Sequence, residues 1–137
     1  MTRVTVTDHF VQPVEQVWPI IADFGGIADL LPGIGGCRVE GTGIGQDRIM
    51  DLGGAVPVVE RLTWFDEDDH AFSYTILSGD MPFERYVATV RLRADGAGTG
   101  VVWEGNFTPT IAEEKTVRLA TNLYQGLIDA VKAKLAG

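Results

Sequence analysis

One stretch, VPVVERLTW (56–64), sets a carboxylate and a guanidinium inside an otherwise apolar, β-branched run. Such residues suit a half-buried strand, and side chains in a strand alternate between its two faces. One face then carries Val56, Val58, Glu60, Leu62 and Trp64; the other carries Pro57, Val59, Arg61 and Thr63. If the first face is the inner one, Glu60 is buried. A carboxylate in a dry interior costs several kcal/mol unless something compensates. It can protonate with a raised pKa, pair with a cation, or face a wet, lined cavity. Arg48, on the preceding candidate strand, is the available cation, but that strand is too short for its alternation to decide whether Arg48 points in or out. Tyr74, Tyr86 and Tyr124 can add phenols along the same interior, able to orient a carbonyl or hand over a proton. The catalytic candidates are therefore Glu60 as acid or base, Tyr74 to polarise a carbonyl, and Arg48 to tune Glu60.

Neighbouring strands decide which face is inner. In 100–109 the set Val101, Trp103, Gly105, Phe107 is the apolar one; in 84–94 it is Tyr86, Ala88, Val90, Leu92; in 70–78 it is Phe72, Tyr74, Ile76. By analogy the Val58–Leu62 face turns inward and takes Glu60 with it. Arg61 faces solvent, with Arg91 or Glu104 as neighbours. The expected ligand-binding wall is Leu62, Tyr86, Ala88, Trp103, Phe107, Tyr124 and Ile128, with Met81 and Phe83 in a turn that covers the mouth. Trp18 is expected in the core.

These positions need elements to hold them. A β-branched run at 3–11 reads as a strand, and Pro13 opens a short helix at about 14–23, which DFGG ends; a second helical turn spans 26–31. Six strand candidates follow at 36–42, 46–52, 56–65, 70–78, 84–94 and 100–109. Residues 112–136 repeat apolar side chains at helical intervals and form one long amphipathic helix. A seven-stranded antiparallel sheet with one apolar face needs a cover, and this helix alone is long enough. The fold class is α+β, one domain over residues 1–137, with a curved sheet wrapped around the C-terminal helix.

The chemistry left out is equally informative. A net charge of −8 argues against nucleic acid or an anionic membrane as partner. The single cysteine, Cys37, makes no intramolecular disulfide. His9 and His70 have no second ligand at metal spacing, and DEDD (66–69) reads as a solvated turn. The glycine clusters do not open a helix after a strand, so no dinucleotide or phosphate loop is expected. No metal or cofactor is expected; the charge fits a neutral or cationic small-molecule partner, or none, and the chain is expected to be a monomer or weak dimer in the cytoplasm.

VQPVEQVWPIIADFGGIADLLPGIGGCRVEGTGIGQDRIMDL resembles the N-terminal half of the SRPBCC (START/birch-pollen-allergen-like) superfamily, polyketide cyclase/dehydrase-like branch. VVERLTWFDEDDHAFSYTILSGDMPFERYVATVRL and VVWEGNFTP resemble the parts that follow, so the likeness runs through nearly the whole chain. The resemblance implies a helix-grip fold with an elongated pocket for a hydrophobic molecule such as a polyketide, lipid or terpenoid. It also implies two mobile loops, LGGAVP (52–57) and SGDMPFE (78–84). It does not imply one reaction: cyclisation or dehydration by acid–base chemistry, a non-catalytic carrier or sensor, and a structural protein with an incidental cavity all remain open.

Overall fold

The computed structural model describes all residues 1–137. Strand β1 (Thr2–Phe10) is followed by helices α1 (Val14–Ile21) and α2 (Phe24–Ala28). Six strands come next: β2 (Gly36–Glu40), β3 (Asp47–Asp51), β4 (Val58–Asp66), β5 (Ala71–Ser78), β6 (Phe83–Asp95) and β7 (Gly98–Pro109). Helix α3 (Glu113–Ala136) closes the chain. The sheet runs β1-β7-β6-β5-β4-β3-β2, antiparallel throughout. Its 24-residue helix, roughly 36 Å at 1.5 Å per residue, buries Thr116, Ala120, Tyr124, Leu127, Ile128 and Val131 against the apolar face. No helix is long and apolar enough to cross a membrane.

Three local readings are corrected. DFGG does not terminate the first helix; it opens the second. Asp23 caps α2 by accepting a hydrogen bond from the Gly26 N–H at 3.2 Å, the usual role of Asp at a helix start. The turn then runs on through Leu30 and Leu31, whose N–H groups reach back to Ile27 and Ala28. In β4, Val58, Glu60 and Leu62 are buried as expected, but Trp64 is 38% exposed. A register shift between Leu62 and Trp64 reverses the alternation, as one extra residue in a strand must. Phe65 turns inward instead and meets Trp18, with ring centroids 5.5 Å apart. Trp18 itself lies in the core, 4% exposed. Arg61 faces neither Arg91 nor Glu104: its cross-strand neighbour is Asp47, whose two oxygens accept bonds of 2.7 and 3.0 Å from it.

Helix and sheet are also tied by charge. Asp8 on β1 accepts from Lys132 at 2.8 Å and from Gln125 at 2.9 Å, both on α3. The Lys132 bond, outweighing partial burial, holds the Asp8 carboxyl down at about 2. A depressed folded-state pKa contributes stability that is present above the unfolded value of 3.8 and is lost as pH falls toward 2. Lys132→Met is therefore expected to cost about 1 kcal/mol or less at neutral pH, since the pair is partly exposed. Its deficit should shrink as urea midpoints are followed from pH 4 down to pH 2.

Candidate functional site

Strands β3 and β4 place Arg48 directly opposite Glu60. Both side chains point into the space between sheet and α3, Arg48 2% and Glu60 8% exposed. Glu60 Oε1 accepts from Arg48 Nε at 2.9 Å, and Nη2 lies 2.7 Å from the same oxygen in an ion pair. Arg48 Nη1 donates to the Phe24 carbonyl at 2.8 Å. The guanidinium carbon also lies 4.0 Å from the centre of the Phe24 ring and 4.7 Å from that of Tyr74, a stacking suited to a planar cation. Burial works against the Arg48 charge, but Glu60's charge and hydrogen bond outweigh it, and the guanidinium pKa ends above its ordinary value. The pair is thus a cross-strand clamp that also fastens α2 to the sheet.

Three phenols extend this polar line. Tyr74 Oη accepts from Trp103 Nε1 at 3.1 Å. The hydroxyls of Tyr86, from β6, and Tyr124, from α3, bond to one another across the interior. Burial pushes the Tyr74 phenol up to about 12 and raises Tyr86 and Tyr124 as well. Tyr86 follows Arg85, which holds φ +52°, at a register shift between Glu84 and Val87. Tyr124 fits because its hydroxyl occupies the space a Cβ would take at Gly105. Gly105→Ala is therefore expected to push Tyr124 off Tyr86 and cost about 1–3 kcal/mol. Thermal unfolding checks the cost, and the Tyr86 and Tyr124 ring resonances check the displacement.

These groups border a cavity of about 40 Å³, space for one to a few water molecules. Arg48, Glu60, Tyr74, Tyr86 and Tyr124 give it polarity; Ala28, Met50, Val58 and Leu127 are its buried apolar wall. Four lining residues remain partly open to solvent and mark the mouth: Leu31 after α2, Leu52 in the β3–β4 loop, Met81 in the β5–β6 turn, and Leu123 on α3.

Among the expected site residues, Glu60, Arg48, Tyr74, Tyr86, Tyr124 and Met81 come together at this cavity. Leu62, Phe83, Ala88, Trp103, Phe107 and Ile128 do not line it; they are buried in the main core. Phe83 is no mouth cover: it begins β6 and packs on Phe107, ring centroids 4.5 Å apart. Ala88 lies beside Gly105 in the β6–β7 register, in the region that Tyr124 fills. Phe24, Leu31 and Leu123 were not anticipated. Leu123 and Leu127 are four apart, the spacing of neighbours on one helix flank.

A seven-stranded antiparallel sheet gripping one long helix over a partly polar cavity defines a helix-grip protein. The family model described as polyketide cyclase / dehydrase and lipid transport matches residues 1–136, and the chain belongs to that family. It is 26% identical over 139 residues to the abscisic acid receptor PYL10 of Arabidopsis thaliana, covering 96% of this chain and 76% of the receptor. The structure of XoxI from Bacillus cereus superposes with a TM-score of 0.87 at 24% identity, covering 98% of this chain and 95% of that one. Ara h 8.0201 superposes with a TM-score of 0.81 at 17% identity, covering 99% and 100%. At such identities these structures speak for the shared fold alone; the family match over residues 1–136 is what places the chain in the SRPBCC superfamily.

Proposed function

We propose that this chain binds a hydrophobic small molecule between the sheet and α3, admitted at the mouth between Leu31, Leu52, Met81 and Leu123. The observation that carries this reading is a buried charge pair and three phenols converging on one apolar-walled cavity that reaches the surface. A core built for stability alone gains little from such groups, because a buried ion pair returns little net stability. A ligand pocket typically has a mostly apolar lining with a few placed polar groups. Pockets for drug-sized ligands measure roughly 300–1,000 Å³, so a ligand enters by moving the side chains at the mouth. None of the four stands in the sheet: Leu31, Leu52 and Met81 lie in loops or turns and Leu123 on α3, and Gly53, at φ +87°, follows Leu52 directly.

Acid–base catalysis on a bound carbonyl compound is a second reading, favoured by one feature. Glu60 Oε2 accepts no hydrogen bond from the protein, while Oε1 takes the Arg48 Nε bond and the Nη2 ion-pair contact. A carboxylate oxygen held in place yet free can take up a proton, with a nearby phenol as donor.

Native mass spectrometry with a panel of hydrophobic carbonyl and hydroxyl compounds tests both readings. Wild type is expected to retain a ligand that Leu123→Trp, which fills the mouth, does not. Conversion of that ligand by wild type, with intact retention by Glu60→Gln, supports catalysis. Retention unchanged by both proteins supports binding alone. No retained compound contradicts the proposal.

A further inference from the structure

The polar atoms of the cavity discriminate between ligand chemistries. Arg48 is the one basic residue on its lining. Its charge is already paired: Nε donates to Glu60 Oε1 and Nη1 to the Phe24 carbonyl, and Nη2 lies 2.7 Å from the same Glu60 oxygen. The rings of Phe24 and Tyr74 flank the same guanidinium at 4.0 and 4.7 Å. An incoming anion therefore finds the cation already paired with a carboxylate. What it finds is Glu60, whose Oε2 takes no hydrogen bond from the protein. Two carboxylates in one desolvated site repel strongly. A ligand ammonium would join a site already balanced by one positive and one negative charge, and would bring in an unpaired charge. A hydroxyl meets neither obstacle. It donates to Oε2, and its oxygen can accept from a phenol: the Tyr86–Tyr124 pair keeps one O–H beyond the one used in their mutual bond.

We propose that the cavity selects neutral ligands carrying a hydroxyl group (alcohol, enol or phenol) that donates to Glu60 Oε2, and that it rejects carboxylates of the same shape. This deepens the binding reading and rests on it.

Four probes of one shape test it by isothermal titration at pH 7: naphthalene, 2-naphthol, 2-naphthoate and 2-naphthylmethylammonium. Naphthalene reports on the apolar cavity alone. 2-Naphthol is expected to bind at least about tenfold more tightly than naphthalene and than either charged probe. In Arg48→Met/Glu60→Met, which replaces the pair with apolar side chains of similar length and so keeps a packed fold, the naphthol advantage over naphthalene should fall to within about twofold. Equal binding of naphthol and naphthalene by wild type, tighter binding of a charged probe, or a naphthol advantage that survives in the double variant overturns the proposal and leaves the cavity reading intact. If none of the four binds, the cavity reading fails and the hydroxyl preference falls with it.

Discussion

Arg48→Met is expected to lower the unfolding free energy by about 3–5 kcal/mol, the usual result of stripping one partner from a buried pair. Glu60 would be left among Tyr74, Met50 and Val58 with no cation, and the Phe24 carbonyl would lose its donor. The loss should come mainly from the orphaned groups, not from missing attraction. The double change Arg48→Met/Glu60→Met should therefore recover most of it. Urea unfolding of the two single variants and the double variant gives the cycle directly. A double variant as unstable as Arg48→Met would show that the stacking on Phe24 and Tyr74, not the charge pair, holds α2 to the sheet.

The second large effect is alkaline. The chain has three tyrosines, and all three are buried at this cavity. In the unfolded chain each loses its proton near pH 10; in the folded one burial holds Tyr74 to about 12 and raises the other two. A raised folded-state pKa contributes stability that is complete below the unfolded value and is lost as pH rises through the folded one. Tyr74 alone, shifted from 10 to about 12, accounts for about 2–3 kcal/mol at 1.36 kcal/mol per unit. The urea midpoint should fall steadily above pH 10. Tyrosinate absorbance should appear only in step with unfolding, not as a native titration near pH 10. A native-state titration at the ordinary tyrosine pKa would mean that the phenols are open to water.

Much of this arrangement is legible in the sequence because strand alternation is a strong constraint. Glu60 follows Val58 and Leu62 inward, and Tyr74 and Tyr86 lie on the apolar faces of their strands. Arg48 is not legible: β3 spans five residues with charge at both ends, and only its register with Glu60 reveals its direction. Trp64 misleads because a register shift is invisible to a period of two. Alternation also gives a face but not a depth. Trp103 and Phe107 point the right way yet pack in the core, while Leu31 and Leu123, from elements that cross the open end, border the mouth. The Phe24 contribution depends on where α2 begins, and that depends on reading Asp23 as a cap rather than DFGG as a stop.

The central claim is that a hydrophobic molecule enters between sheet and helix, and the methionines allow it to be tested in one measurement. Of the three, Met50 and Met81 line the cavity and Met1 is 80% exposed. With methyl-¹³C-methionine, titration with 2-naphthol should shift the Met50 and Met81 methyl resonances saturably and leave Met1 in place. Saturating naphthol that moves none of them, or moves Met1 alone, would contradict the account.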